Sequence, residues 1–350
     1  MHKRHLLLIL LIIAIFFTSC TDLSSSTSHF GDDNKITQGK DTATFHFIDV
    51  GQGDSILIQS GDTNILIDAG TTQSSSVIYK YLRNLNIDYL DYFIGTHPHE
   101  DHLGGAALVL SSIDVGTVFI NSDTSSSYFY EKFIDTLINK NIKPILPNLD
   151  CVYEIGPFRI KFLSPTKDFG NANDNSLVLK VQFDKVTALF TGDAERAVEK
   201  ELIKAKSNIN SDILKVGHHG SRYASSAEFL NAVSPEVSVI QCGSGNSYGH
   251  PHEEALQRLE NIGSAVLRTD EEGSIVLITD GKTIKRSTGE IYEKNEQTPH
   301  IALTYIGNIK SKIFHTEECP NLPGEKNRTV FTSREDAIAL GYKECGNCNP

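Results

Sequence analysis

The chain has 350 residues, of which 39% are hydrophobic and 22% are charged, a balance typical of a globular protein. Its formal net charge of −12 argues against broad electrostatic binding to nucleic acid or to an anionic membrane surface. The charge does not exclude a nucleic-acid substrate, because bound metal ions bring positive charge of their own.

Residues 1–19 have the pattern of an export signal. Lys3 and Arg4 precede an apolar run, Leu6–Phe17, which is short for a membrane-spanning helix. Small residues before Cys20 resemble a bacterial lipobox, in which Cys20 would be the lipidated first residue of the mature chain. An uncleaved anchor helix and an ordinary cleaved signal are the alternatives, and both also place the body outside the cytoplasm. We therefore expect an extracytoplasmic bacterial membrane lipoprotein with a flexible polar tether over residues 20–42.

Short β-rich runs, separated by turns that contain Gly and Asp, follow the tether and then alternate with helical spacing. A helix is predicted over Ser76–Ile87, with Val77, Tyr81 and Leu85 on one face. The other predicted elements of this half are the strands Thr44–Val50, Ser55–Ser60, Asn64–Gly70 and Leu90–His97 and the helix Leu103–Ile113.

The second half repeats this style of short strands with helices between them. Its main predicted elements are the strands Phe158–Pro165, Asn175–Phe183, Lys185–Asp193, Asp212–Ser221 and Glu236–Gly243 and the helices Ala194–Lys206 and Glu253–Ile262. Two such halves predict two mixed sheets packed face to face with helices outside, in one domain over residues 43–286. A polar linker over 287–300 and a small unit over 301–350 complete the chain. A unit of that size usually needs a staple to fold alone.

The stretch THPHEDHLGG, Thr96–Gly105, concentrates histidines and acids at the end of a predicted strand. Buried imidazoles and carboxylates are costly unless something pairs with them, so this stretch is either a solvated loop or a cation site. On an extended segment His97 and His99 point the same way, whereas Asp101 and His102 lie past the bend. Acids and histidines also follow other predicted strands, namely Asp68, Asp193, His218 and His219. A carboxylate from a distant strand, such as Asp193, can bridge two cations roughly 3.5–4 Å apart.

The HPHEDH run resembles the HxHxDH motif of the metallo-β-lactamase superfamily of hydrolases, and the wider pattern resembles the soluble hydrolase domain of the competence protein ComEC. Seven stretches carry this resemblance in family order: FIDVGQGDS (47–55), LIDAG (66–70), THPHEDHLGG (96–105), NDNSLVL (173–179), FTGDAE (190–195), LKVGHHGS (214–221) and NSYGHPH (246–252). The resemblance implies a four-layer αββα sandwich, and hydrolysis that depends on two divalent metal ions, Zn or Mn.

The resemblance also implies a role for each matching residue. The first metal would be bound by His97 and His99, and the second by Asp101, His102 and one residue of the His218–His219 pair. Asp193 would bridge the two metals. Of the pair, we favour His219 as the ligand and His218 as a residue near the substrate. Asp68 would orient the loop from behind the ligands, or else is a simple turn acid.

One departure separates the chain from lactamases and thioester hydrolases of this superfamily. Those enzymes place a further histidine on the first metal, between the HxHxDH motif and the bridging acid. Here that region reads NDNSLVL, and Asn173 or Asn175 stands in its place. An amide oxygen is a weaker and harder ligand than imidazole, so the first site would hold its ion loosely and favour Mn²⁺. The same departure is found in the ComEC-type branch.

The chemistry that this site implies is hydrolytic, with Asp101, Asp193, His218 and His250 as catalytic candidates. Two cations activate water and hold developing negative charge, while His218 or His250 contacts the phosphate or protonates the leaving group. His250 is equally consistent with a capping or buried structural histidine. For Ser221 and Tyr248 we expect a surface serine and a packed tyrosine rather than hydrogen bonds to substrate.

The C-terminal unit carries a second set of ligand-type residues, His315, Cys319, Cys345 and Cys348. Three thiolates and an imidazole at this spacing suit tetrahedral structural zinc, which would also supply the staple. A pair of disulfides is the alternative, although three local cysteines would leave one over. The stretch from Lys312 to Pro350 resembles the small zinc-binding modules related to the N-terminal domain of the DNA-repair protein Ada.

Three functional hypotheses follow. The leading one is a lipid-anchored, extracytoplasmic, metal-dependent phosphodiesterase or nuclease that acts on DNA. A second keeps the site but changes the substrate, either to a phosphorylated headgroup such as phosphocholine on a surface polymer or to a thioester or lactam. The third is a surface-bound binding protein without catalysis. In all three hypotheses the protein would contact the membrane through a lipid on Cys20.

Overall fold

The computed structural model describes residues 42–292, 304–317, 319–348 and 350. The chain divides into two compact units, with the boundary between residues 298 and 299. The predicted export signal, the lipidation site Cys20 and the tether up to residue 41 lie outside the described residues, as do residues 293–303. None of the helices in the described part of the chain is long and apolar enough to span a bilayer.

The larger unit alternates strands and helices along the whole of its length. Its strands are β1 (Ala43–Phe47), β2 (Ile56–Ser60), β3 (Thr63–Ile67), β4 (Tyr89–Gly95), β5 (Asp114–Ile120), β6 (Tyr153–Ile155), β7 (Phe158–Ser164), β8 (Val178–Phe183), β9 (Val186–Phe190), β10 (Ile213–Lys215), β11 (Val237–Ile240), β12 (Ala265–Arg268), β13 (Ile275–Thr279), β14 (Ile284–Arg286) and β15 (Ile291–Tyr292). Its helices are α1 (Ser75–Asn84), α2 (Glu100–Leu103), α3 (Ala106–Ser112), α4 (Tyr128–Asn139), α5 (Arg196–Lys204), α6 (Ala227–Val233), α7 (Glu253–Asn261) and α8 (Thr269–Glu272).

Two mixed sheets organise these elements. The first has the strand order β15-β14-β13-β1-β2-β3-β4-β5 and the second the order β12-β11-β10-β9-β8-β7-β6. Strands β3, β4 and β5 run parallel in the first sheet, and β9 to β12 run parallel in the second. The carboxyl ends of parallel strands lie at one edge of a sheet, so the residues that follow them can meet there.

The inner faces of the two sheets pack against each other. The rings of Phe45 and Phe47 on β1 each lie 6.4 Å from the ring of Phe190 on β9, centroid to centroid. These rings belong to one buried cluster that draws on both sheets and also contains Ile58 and Phe162. Because apolar burial contributes about 25 cal/mol per Å², this cluster is the main source of stability between the sheets.

Helices cover the outer faces, which confirms the predicted αββα sandwich. On the first sheet, α1 buries Ile78 and Leu82, and on the second sheet α5 packs against β7 and α7 against β12. Of the residues that the sequence places on one face of this helix, Val77 is 47% exposed and Leu85 is 37% exposed. Apolar residues occupy two adjacent stripes of this helix, and periodicity alone does not select between them.

The first sheet also extends further along the chain than the sequence predicts. The hairpin of β14 and β15 pairs Ile284 with Tyr292. Residues up to Tyr292 therefore belong to the edge of the sheet, whereas the sequence pattern assigned them to the linker.

In its described residues, the smaller unit has a four-stranded sheet and one α-helix. Its strands are β16 (Tyr305–Asn308), β17 (Ile313–Thr316), β18 (Arg328–Phe331) and β19 (Lys343–Glu344), in the order β18-β16-β17-β19, and its helix is α9 (Arg334–Ala339). The buried cluster of this unit is small and consists of Tyr305, Phe314, Phe331, Ala337 and Tyr342.

Candidate metal centre

The histidines and acids of the candidate centre follow the carboxyl ends of parallel strands from both sheets. The HPHEDH run follows β4 of the first sheet, Asp193 follows β9, and the His218–His219 pair follows β10 of the second sheet. Sheet packing therefore brings together residues that lie more than a hundred positions apart in the sequence.

One group of ligand atoms forms around the first two histidines of the motif. His97 Nε2 lies 3.0 Å from His99 Nδ1 and 3.8 Å from Asp193 Oδ2. His97 is fully buried, whereas His99 is exposed at the mouth of the centre. The three side chains can offer their ligand atoms to one cation.

A second group forms on the other oxygen of the same carboxylate. Asp193 Oδ1 lies 3.2 Å from His102 Nε2 and 3.4 Å from His219 Nε2. Asp101 Oδ2 approaches the same His219 nitrogen at 3.2 Å. Asp193 therefore belongs to both groups, and of the His218–His219 pair it is His219 that lies in the second group.

The donor set fits divalent cations. His102 Nε2, His219 Nε2 and Asp193 Oδ1 are all buried and make no hydrogen bond. Buried polar atoms are usually hydrogen-bonded, so three such atoms facing one point require another partner. Imidazole nitrogens with carboxylate oxygens suit Zn²⁺ and Mn²⁺ alike, so the donor types alone do not select one metal.

Groups behind these ligands fix the orientation of each imidazole. His102 donates its Nδ1 proton to Asp68 Oδ2 at 2.7 Å, and His219 donates its Nδ1 proton to the carbonyl of Gln241 at 2.9 Å. Asp68 in turn accepts from the backbone N–H and the hydroxyl of Thr96, at 2.8 and 2.7 Å. Such partners set the tautomer so that Nε2 faces the metal. Asp68 is therefore placed to orient the loop, as the resemblance implies, through its bonds to His102 and Thr96.

Asp54 is a second buried carboxylate behind the candidate ligands; the sequence analysis did not select it, although it lies in the FIDVGQGDS motif. Its Oδ1 lies 3.3 Å from His219 Nδ1, and its Oδ2 lies 2.7 Å from the ammonium of Lys215. Asp54 is close enough to His102 and Asp193 to be counted as a ligand. However, it faces the Nδ1 sides of the imidazoles, whereas Asp101 faces Nε2. Asp101 is therefore the carboxylate on the side where a metal would bind, whereas Asp54 forms an ion pair with Lys215, which is itself fully buried.

Replacing Lys215 by methionine is expected to destabilise the larger unit by about 3 kcal/mol, because the variant leaves the Asp54 charge buried without its main partner. Urea unfolding of metal-free protein measures this; circular dichroism is the appropriate signal, since the chain has no tryptophan. The exposed Lys185 offers a control, and Lys185→Met should stay within about 0.5 kcal/mol. Adding Asp54→Asn to Lys215→Met should recover most of the loss; no recovery would contradict the ion-pair assignment.

The charges of the centre reinforce one another. Burial alone would raise the pKa of Asp193, but the imidazoles of His219 and His102 hold that pKa well below its usual range. Burial alone would lower the pKa of His102 and of His219, but the Asp193 carboxylate holds both pKa values well above the usual range. Without metal the second group is therefore a set of buried ion pairs, and metal binding has to displace protons from it.

The turn that carries His218 and His219 has an unusual backbone. His218 has φ +47° and His219 has φ +53°, a left-handed conformation that is strained for residues with a side chain. Outside the second group, His218 donates its Nδ1 proton to Glu195 Oε1 at 2.8 Å, while its Nε2 lies 3.7 Å from Asp193 Oδ2. His218 is partly exposed, so its Nε2 is available at the edge of the centre. Glu195 was missed by the sequence analysis, although it ends the FTGDAE motif.

The two asparagines of the NDNSLVL motif differ in what they contact. The amide nitrogen of Asn175 donates to Asp123 and Asp168 at 3.0 Å, and its amide oxygen accepts from the backbone N–H of Phe169 at 2.8 Å. Asn175 thus holds a loop together and does not serve as the predicted weak ligand, because its amide is committed to these bonds. The amide oxygen of Asn173 is buried without a hydrogen bond, so Asn173 stays a candidate.

Three further predicted residues lie around His218. His250 is 9% exposed and packs its ring 5.3 Å from that of His218. Burial, with the nearby His219 and His218, lowers the pKa of His250 to about 4, so its ring is neutral at pH 7. The predictions for the other two are wrong: Ser221 is buried at 2% exposure and accepts from the backbone N–H of Tyr223, and Tyr248 is 65% exposed.

The smaller unit has a ligand cluster of its own. His315, Cys319, Cys345 and Cys348 bring their ligand atoms within 4.8 Å of one another. The three cysteines carry thiols and not disulfides, so the alternative of paired disulfides does not apply. Three sulfurs and one imidazole in this space fit a structural zinc ion.

A two-sheet αββα sandwich with a histidine- and aspartate-rich centre at its strand ends defines the class, that of metallo-β-lactamase-fold proteins. A family model described as the metallo-beta-lactamase superfamily matches residues 48–244, and the chain belongs to that superfamily. Within it, the chain is similar to ComE operon protein 3 of Bacillus subtilis, with 32% identity over 247 residues, 65% of this chain and 32% of that protein.

A second curated relative agrees with this placement. Competence protein ComA of Neisseria gonorrhoeae is 32% identical over 231 residues, which cover 65% of this chain and 31% of that protein. The chain thus spans about a third of the length of the curated relatives it matches. Among solved structures it is similar to the metallo-beta-lactamase fold protein YhfI from Bacillus subtilis, with 15% identity, a TM-score of 0.49, and coverage of 68% of this chain and 100% of that one. The identity with the two curated relatives confirms the resemblance to ComEC-type proteins.

Proposed function

We propose that the protein is a metal-dependent phosphodiesterase whose substrate is DNA. The observation that carries this proposal is the convergence of two groups of ligand atoms on one carboxylate, Asp193. When bound, a pair of divalent cations would activate water for attack and offset the charge that develops on a phosphoryl oxygen. DNA is favoured over other phosphodiesters because one of the similar proteins, Competence protein ComA, carries a name that refers to competence.

The residues of the centre divide this work among themselves. His97, His99 and Asp193 would hold one cation, and the second would be held by Asp101, His102 and His219 with Asp193 shared. Asp68 and Gln241 hold the imidazoles of His102 and His219 in place, so the ligands need little rearrangement on binding.

His218 would act on the substrate directly. Its Nδ1 proton is committed to Glu195, and its Nε2 faces the centre from a partly exposed position. This arrangement lets Nε2 contact a phosphoryl oxygen or the leaving group while Glu195 keeps the ring in one orientation. His250 packs behind His218, and its neutral ring supports the position of His218 without adding charge.

A metal and substrate panel tests the proposal. Metal-free protein should not cleave DNA, because no cation is then present to activate the attacking water. Mn²⁺ or Zn²⁺ should restore cleavage once it displaces the protons from the ligand groups. RNA, small phosphodiesters, a phosphocholine ester and a thioester in the same panel separate the alternatives. A folded protein that cleaves no phosphodiester with any metal, or that prefers the acyl substrates, would refute the proposal.

We also propose that the body is extracytoplasmic and is attached to the membrane through a lipid on Cys20. The support is the sequence pattern of residues 1–20. Wild-type protein should fractionate with membranes, and Cys20→Ser should release most of it into the soluble extracytoplasmic fraction, because a lipid chain is then missing. Membrane retention of Cys20→Ser would indicate an uncleaved anchor helix in place of a lipid.

A further inference from the structure

Tyr248 presents a large exposed aromatic ring beside the candidate metal centre. It lies in the loop between β11 and α7 and is 65% exposed. Its ring is nearly parallel to that of His250, at 20° and 5.7 Å between centroids. The ring of His250 lies 5.3 Å from that of His218, whose Nε2 is 3.7 Å from the shared carboxylate of Asp193. Tyr248 is therefore connected to His218, which faces the centre, through the ring of His250.

Hydrogen bonds within the loop hold the backbone that carries the Tyr248 ring in one position. The amide oxygen of Asn246 accepts from the backbone N–H groups of Tyr248 and His250, at 3.1 and 3.0 Å. The amide nitrogen of Asn246 donates back to the carbonyls of Gly243, at 2.9 Å, and of His250. Gly249 between them has φ +75°, a conformation that residues with side chains rarely adopt. A ring held in this way loses little conformational freedom when a ligand stacks on it.

Because the chain is acidic, a contact with nucleic acid that does not depend on positive charge would contribute to binding. The chain has 44 acidic and 32 basic residues, and Arg222, an exposed cation on the neighbouring loop, is paired with Glu254 at 2.9 Å. Phosphate contacts with basic residues normally supply most of the affinity for nucleic acid. Stacking of a base on an aromatic ring supplies affinity without a positive groove and without sequence readout.

We propose that Tyr248 is a base-stacking residue that receives the nucleobase next to the phosphodiester held at the metal centre. The proposal rests on the proposed function and narrows its substrate to nucleotides whose bases are unpaired. A base inside a duplex has both faces covered by its neighbours, so it reaches Tyr248 only from a single strand, an end or a flipped position. Tyr248 selects the substrate and takes no part in the bond cleavage.

Two oligonucleotides of equal length test this in the full chain: a single-stranded thymidine oligonucleotide and one made of abasic deoxyribose phosphates. Both have the same phosphodiester backbone, but only the first can stack. Wild-type protein should prefer the thymidine strand by about tenfold in kcat/KM, mainly through KM. Tyr248→Ala should bring the ratio close to one, and Tyr248→Phe should keep it, because the ring and not the hydroxyl stacks. Tyr128, which is 74% exposed on α4, gives the matched control, and Tyr128→Ala should leave the ratio unchanged.

A binding measurement separates failure of this inference from failure of the proposed function. A single strand that contains 2-aminopurine should lose fluorescence on binding to wild-type protein and to Tyr248→Phe, and much less on binding to Tyr248→Ala, whether or not it is cleaved. If neither oligonucleotide is cleaved with any metal, the phosphodiesterase proposal fails while this titration still decides the stacking. The inference is overturned if Tyr248→Ala prefers the thymidine strand as strongly as wild-type protein does. It is also overturned if wild-type protein cleaves duplex DNA with the same kcat/KM as the single strand. Competition by tetramethylammonium with no preference for bases overturns it in favour of a choline-bearing polymer, since aromatic faces also bind quaternary ammonium groups.

Discussion

Asp193→Ala is expected to lower phosphodiester hydrolysis by at least about a thousandfold, because one side chain supplies an oxygen to each of the two ligand groups. The fold should persist. Asp193 is buried, but without its carboxylate His102 and His219 can each lose the extra proton and become neutral, so no uncompensated charge is left buried. The backbone N–H of residue 193 would keep its bond to the Ser176 hydroxyl, which is 3.1 Å away. Turnover measured with saturating metal, together with metal content by mass spectrometry, checks the prediction.

Asp135→Ala provides the matched control for this experiment. Asp135 lies exposed on α4 and pairs only with Lys132 on the same helix, at 3.6 Å, so its loss should change turnover by less than about twofold. Circular dichroism of both variants should match the wild type. Full turnover in Asp193→Ala would mean that the two-metal arrangement is wrong, whatever the family membership.

Cys345→Ser is expected to unfold the smaller unit while the larger unit keeps its fold and its activity. Apparent binding free energies of structural zinc are about 10–16 kcal/mol, and in units of this kind that energy is folding energy. In the described residues the buried cluster of the smaller unit consists of five side chains, Tyr305, Phe314, Phe331, Ala337 and Tyr342, and so small a core does not replace that energy. Limited proteolysis should remove residues after the linker from the variant only, and its zinc content should fall by one equivalent.

Cys242→Ser makes the same chemical change at another buried thiol. Cys242 lies in the larger unit, where its Sγ contacts Asp270 at 3.2 Å, so this control should keep all of its zinc and its resistance to protease. Chelation of wild-type protein should reproduce the effect of Cys345→Ser on the smaller unit. If Cys345→Ser resists protease as the wild type does, the zinc assignment for this cluster fails.

The candidate centre was largely predictable because its residues follow strands whose ends were visible in the sequence. His97 and His99 lie two positions apart directly after β4, and their nitrogens converge to 3.0 Å, although the backbone bends at His97 and Pro98 and is not extended as expected. Asp193 and His219 follow the buried strands β9 and β10, and parallel strands bring such ends to one edge. The sandwich itself was predictable for the same reason, because alternating strands and helices leave few ways to bury both faces of two sheets.

Other features depend on contacts that no local pattern encodes. Asp54 lies in an irregular loop, and its partner Lys215 reads as an ordinary strand residue; only the packing of the two sheets shows that they form a buried pair at 2.7 Å. Asn175 stands where a ligand was expected, but its hydrogen bonds to Asp123 and Asp168 come from separate loops. Tyr248 looked like a packed residue because tyrosines usually are, and its exposure follows from the bonds that Asn246 makes within the loop.

The two sheets contribute different ligands: His97, His99, Asp101 and His102 come from the first and Asp193 and His219 from the second. Two cations that share Asp193, as proposed above, would therefore crosslink the two layers, in addition to the apolar core and to polar contacts such as the Asp54–Lys215 ion pair at 2.7 Å. At a hundred times its dissociation constant, a bound ion adds about 2.7 kcal/mol to stability. The melting temperature of the larger unit should therefore rise with the concentration of the metal ion. In metal-free protein, unfolding should begin with separation of the two sheets.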